Sequence, residues 1–182
     1  MNSFASEYLS TTIRRLKYYR HLGEQALAQL QEKDFHYKPS SASNSIAIII
    51  QHMSGNMLSR WTNFLSEDGE KEWRSRDAEF EMHDFTAAQL IEMWNKGWDC
   101  FIDALESLKE DDLLKTVYIR KEPLSVVDAI NRQLAHYPYH VGQMLFAAKE
   151  IKDDAWKSLS IEKGGSKAYE QGDGIKDPAK GF

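Results

Sequence analysis

The 182-residue chain has a single cysteine, Cys100, which excludes an internal disulfide and a cysteine-based zinc cluster. Such sparing use of cysteine suits a reducing cytoplasm. Long apolar runs are also missing. The longest aliphatic run is IAIII at 46–50, whereas a membrane-spanning helix needs about 20 residues. The N-terminal MNSFASEYLSTTIRRLKYYRHL lacks the apolar core of a secretion signal and passes into a long amphipathic segment, so it reads as mature structure. A broad basic field is absent as well. The formal net charge is -5, and nucleic acid is not an expected partner. Between Glu67 and Asp84 eight acidic residues stand against three basic ones, so this one stretch carries the sign and the rest of the chain is close to neutral. These absences predict a soluble, cytoplasmic protein with no membrane or nucleic-acid partner.

Several chemistries are excluded by missing motifs. There is no HExxH, no Walker A sequence and no GxGxxG, each of which places a metal or phosphate by fixed spacing. No Glu-x-x-His pair occurs, which disfavours a di-iron carboxylate bundle. Cys100, in GWDCFIDAL, reads as a small packed thiol rather than a nucleophile.

Four segments carry the helical period. The first spans about Phe4 to Leu30, with Tyr8, Ile13, Leu16, Tyr19, Leu22, Ala26 and Leu30 recurring at threes and fours. KPSSASNS at 38–45 interrupts it and offers N-caps for a second helix, about Ile46 to Leu65. The third opens at a capping box, Thr86 with Gln89, and continues to Leu108. The fourth opens after Pro123 with Ser125 as N-cap and Asp128 in its first turn, and runs to about Ile151. TVYIR at 116–120 is a short extended piece. The expected class is all-α, a four-helix bundle. The 66–85 link is long for a compact domain, and its Trp73 and Phe80 favour a crossover packed on the bundle. The expected division is a domain over 1–170 and a flexible tail over 171–182, whose GDGIKDPAKGF has little to bury.

The histidines carry the chemistry. His136 and His140, in AHYPYHVGQ, are four residues apart, about 400° of helix rotation, so their side chains leave one face a turn apart. Pro138 between them costs an interior hydrogen bond, yet the helical pattern continues on both sides, as in a kinked or bulged helix. An open transition-metal site needs a third ligand, and His52, on the apolar second helix, supplies a candidate. A buried imidazole needs a partner; metal coordination is one, an internal hydrogen bond the other. His21, His36 and His83 have no partner at ligand spacing. Beside the three candidates stand Gln143, three residues after His140, Asn56, one turn after His52, and Tyr139, a candidate general acid. Arg60, Arg74 and Arg76 could clamp a substrate carboxylate, though Asp68, Glu70, Asp77 and Glu79 are near enough to pair with them.

An isolated His52 on helix two, followed much later by HYPYHVGQ, resembles the DinB-like superfamily of metalloenzymes. HMSGNMLSRWTNFLSEDGEKEWRSRDAEFE, AINRQLAHYPYHVGQ and WKSLSIEKGGSKAY look more narrowly like an uncharacterised bacterial subgroup of it. The resemblance reaches from about residue 44 to 170. It implies a four-helix bundle with a long crossover after helix two, a divalent metal (zinc, nickel or iron) held by His52, His136 and His140, and a homodimer. It further implies a small-molecule substrate and, from characterised relatives, a thiol-dependent S-transferase using a low-molecular-weight thiol. Metal-activated water for hydrolysis and a non-catalytic metal-binding dimeric bundle are the alternatives. Two departures from the pattern are Glu162, where LSIPxG would have proline, and Pro138 itself.

Overall fold

The computed structural model describes residues 3–174 and 176–182. Met1, Asn2 and Ile175, which fall in the expected domain and tail, lie outside the described residues. The chain is mostly helical: α1 (Phe4–Leu27), α2 (Ile46–Trp61), α3 (Ala87–Glu106), α4 (Val126–Lys152) and a short α5 (Ser166–Gln171), with strands β1 (Thr116–Ile119) and β2 (Glu122–Ser125) before α4. No described helix is long and apolar enough to cross a membrane.

Hydroxyl caps begin each of the four long helices. Ser3, Ser45, Thr86 and Ser125 accept from the backbone N–H of Ser6, Ile48, Gln89 and Asp128, and Thr86 with Gln89 closes a reciprocal box. α2 ends at Trp61, earlier than the apolar pattern predicts, because Asn63 adopts a left-handed φ of 51°. On α1 the most buried line is Leu9, Thr12, Leu16, Gly23 and Ala26–Leu27, with Tyr8, Ile13, Tyr19 and Leu22 flanking it half-buried and Leu30 just past the helix, which ends three residues earlier than its pattern predicts.

α2 is the central element. All but Gly55 and Leu58 of its residues are buried, because α3 and α4 pack on it and the 62–86 segment covers another side. Its approach to α3 is close: a Cβ at Gly97 would lie 2.9 Å from the Ser54 Cα. α1 packs on α4 and α3. Trp94, Trp98, Phe101 and Tyr137 fill the interior, the last three as an aromatic cluster.

The 69–80 stretch runs back along α2. The Gly69 carbonyl accepts from Ser59 Oγ (2.8 Å) and from Arg60, while ten residues on Glu79 reaches His52. Trp73 is 61% exposed, so this indole does not anchor the segment. The β1–β2 hairpin turns through Arg120 and Lys121, both at positive φ (57° and 64°), the two-residue geometry usually given to Asn-Gly. Asp68 offsets the strain, accepting the backbone N–H groups of Arg120 (2.8 Å) and Lys121 (2.7 Å). At the C-terminus, Ala179 is 1% exposed, Asp177 pairs with Arg15 at 3.1 Å, and Phe182 meets Tyr18 and His21 of α1.

Candidate metal centre

α4 passes through Pro138 as one continuous helix. His136 and His140 lie one turn apart on it, and His52 faces them from α2. The three Nε2 atoms converge: His140 Nε2 to His136 Nε2 is 3.0 Å and His52 Nε2 to His136 Nε2 is 3.4 Å. One ligand atom from each residue lies within 4.8 Å of the others.

Each ring is held from behind. His52 Nδ1 donates to Glu79 Oε2 at 3.0 Å, His136 Nδ1 to Gln133 Oε1 at 3.3 Å, and His140 Nδ1 to Gln143 Oε1 at 2.8 Å. A carboxylate only accepts, so His52 carries its proton on Nδ1. The same outward donation by the other two leaves three Nε2 lone pairs facing one another. Lone pairs at these distances repel unless a proton or cation lies among them. Two imidazoles bound to one ion at about 2.05 Å and a tetrahedral angle are about 3.3 Å apart, so the donor set fits a divalent cation.

The charge state agrees with that fit. Burial, then the neighbouring His140, His52, Arg132 and Arg74, pushes His136 down to about 3. Burial also lowers His140, against the opposing Gln143 hydrogen bond. Both rings are therefore neutral near pH 7, as ligands must be.

A third layer fixes Glu79. Arg74 grips it with two bonds, Nε to Oε1 at 2.7 Å and Nη2 to Oε2 at 2.8 Å. Burial would raise the Glu79 carboxyl, but Arg74 and His52 hold it below its ordinary range. Gly55 makes the room: a Cβ there would collide with the Glu79 carboxylate. Phe80 lies against the other side of His52, ring centroids 4.8 Å apart.

The remaining candidates separate. Gln143 touches His140 directly. Asn56 is buried and accepts from Tyr137 Oη at 3.0 Å, which in turn accepts from Trp61 Nε1 at 3.2 Å. Tyr139 is 61% exposed, its ring edge-on to His140 at 5.1 Å. His36 and His83 meet the Phe85 and Ala78 carbonyls, and His21 meets Phe182. Of the arginines, Arg60 pairs with Glu70 at 3.0 Å and Arg74 with Glu79. Cys100 is half-buried beside Thr62. Sequence reasoning missed Gln133, and it found Glu79 as an arginine partner but not as the acceptor for His52. Gln133 stands three residues before His136 as Gln143 stands three after His140, so the mirrored spacing in QLAHYPYHVGQ was available to find it. The contact of Glu79 with His52, 27 positions away, carried no local signal.

A helical protein in which two helices bring three imidazoles to one point is the class that fold and site define. The chain belongs to the family described as "Protein of unknown function (DUF1572)", whose model matches residues 3–165. Comparison with curated proteins and with solved structures found no match.

Proposed function

We propose that this chain is a divalent-metal-dependent enzyme with His52, His136 and His140 as ligands, acting as a thiol-dependent S-transferase on a DinB-like four-helix bundle. One observation carries the reading: three Nε2 atoms share one point while each Nδ1 donates outward to a fixed acceptor. That arrangement presents a facial set of imidazole donors, and its fourth side has no protein ligand among the described residues. A cation bound there supplies Lewis acidity, enough to make a thiol or a water give up its proton near neutral pH.

The chain's own residues set the conditions. Glu79, Gln133 and Gln143 fix ring orientation and tautomer, and the Arg74 grip on Glu79 extends that control one shell outward. His52 and His136 also line a cavity about 320 Å³ in volume, large enough for a small substrate beside two of the three ligands. The α1–α4 and α2–α3 pairings, with the 62–86 segment joining α2 to α3, support the bundle-with-crossover description.

Metal analysis of protein purified without a histidine tag tests the ligand set. One divalent ion per chain is expected, falling below a tenth in His140→Ala; unchanged stoichiometry in that variant refutes the assignment. Incubation with a haloarene and a panel of bacterial thiols tests the transfer. A metal-dependent conjugate with one thiol is expected, and metal-dependent ester or amide hydrolysis without any conjugate would replace this reading by the hydrolytic one.

A further inference from the structure

The cavity bounded by His52 and His136 is lined elsewhere mostly by arginines, with Asn56, Phe80 and Gln133. Arg60, Arg76, Arg120 and Arg132 all line it, and no carboxylate does. Glu70, outside the lining, contacts both Arg60 (3.0 Å) and Arg120 (3.1 Å), one negative charge shared by two positive ones. Arg76 and Arg132 have no ion-pair partner among the described residues, since Arg74 and His52 take up Glu79. About three positive charges are thus left uncompensated around 320 Å³, in a chain whose net charge is -5.

Two of those cations are held by partners, Arg60 and Arg120 through the shared Glu70. Arg120 reaches the cavity from the positive-φ turn that Asp68 secures. Asn56 adds a neutral donor. The Trp61 indole N–H can only donate, so Tyr137 oxygen accepts it and spends its own proton on Asn56 Oδ1. The Asn56 amide nitrogen is left for the cavity that Asn56 lines. Phe80 supplies one apolar wall.

We propose that this cavity binds a compact organic anion carrying two acidic groups, held by Arg76, Arg132 and the Arg60–Arg120 pair. That its remaining end faces a metal rests on the proposed function; the anion site itself does not. Two carboxylates, or one phosphoryl group, match the charge, and planar guanidinium groups are suited to paired oxygens of either kind.

Calorimetric titration with malonate, inorganic phosphate and acetate tests this on metal-free and zinc-loaded protein, with zinc stoichiometry measured alongside. Malonate or phosphate is expected to bind the metal-free protein at least tenfold more tightly than acetate. Arg76→Gln and Arg132→Gln, both at exposed unpaired positions, are each expected to weaken that binding about tenfold with unchanged melting temperature and zinc stoichiometry. Preference for phosphate over malonate, or the reverse, supports the site and names which acid it takes. Parent affinity in both variants, acetate binding equal to malonate, or binding confined to zinc-loaded protein and insensitive to the arginines would overturn the proposal. Arginine-dependent malonate binding in a protein that takes up no zinc would uphold it and overturn the metal reading alone.

Discussion

Removing the Glu79 carboxylate separates what this residue does for the fold from what it does for the site. Arg74 is almost entirely enclosed, its side chain 1% exposed, and its Nη1 already lacks a hydrogen-bond partner. Glu79→Ala therefore leaves a buried guanidinium uncompensated, a change that costs about 3–5 kcal/mol. For a chain of this length each kcal/mol moves the melting temperature by about 2–4 °C, so a fall of roughly 6–20 °C is expected in the metal-free protein. The same substitution takes the acceptor from His52 Nδ1, and losing such a partner lowers metal affinity about 10- to 100-fold. The double variant Arg74→Met/Glu79→Leu removes both charges, and its stability should return to within about 1 kcal/mol of the parent. Its metal affinity should stay low, because His52 still lacks its acceptor. Urea denaturation of metal-free protein and zinc competition against a chelator measure the two quantities separately. A Glu79→Ala variant within 1 kcal/mol of the parent would refute the burial argument, and parental zinc affinity in the double variant would refute the orienting role.

Three shorter predictions follow from the same geometry. Gly55→Ala gains about 1 kcal/mol of helix propensity but displaces the Glu79 carboxylate; stability no higher than the parent and zinc affinity at least tenfold lower are expected, whereas a full propensity gain at unchanged affinity contradicts the packing. In metal-free protein the His136 imidazole is held down to about 3, so the folded state stays neutral while the unfolded chain takes up a proton below its ordinary pKa of about 6.5. Stability should be fully present above that value and fall progressively as pH drops toward 3, and urea midpoints from pH 7.5 to 4 should decline less steeply in His136→Asn. Tyr137→Phe strands the Trp61 N–H and the Asn56 oxygen in the core, at an expected cost of about 1–3 kcal/mol by urea denaturation; a neutral result would mean the chain of donors is not formed.

The helices were legible because their signals are local. Ser45, Thr86 with Gln89, and Ser125 each cap within three residues, and the His136–His140 pair follows from rotation per residue alone. The hairpin was half legible: TVYIR alternates, but Arg120-Lys121 gives no glycine or asparagine to announce a turn at positive φ. What permits it is Asp68, 52 and 53 positions away, beyond any local window. Glu79 was hidden for the same reason, since an acidic residue among seven others in one stretch carries no mark of the ring it serves. α2 misleads differently. Its covering on every side leaves little amphipathic contrast, so the face carrying His52, Gly55, Asn56 and Ser59 cannot be told from sequence to lie under a crossover.

The character of that covering bears on why the crossover lies where it does. Along α2 its contacts are the Gly69 carbonyl, Glu70, the Arg74–Glu79 pair and the single aromatic Phe80, while Trp73 turns outward. Apolar burial therefore does not account for its placement as it does for α3 against α2. Buried ion pairs are close to neutral for net stability against an apolar alternative, so the fold alone supplies little reason to keep Glu70, Arg74 and Glu79 there. The site does: Glu79 sets the tautomer of His52 and leaves Arg76 unpaired at the cavity, and Glu70 contacts the Arg120 side chain. A segment held by polar contacts opens more readily than a packed helix, and opening this one would take Glu79 from His52 and withdraw Arg76 from the cavity.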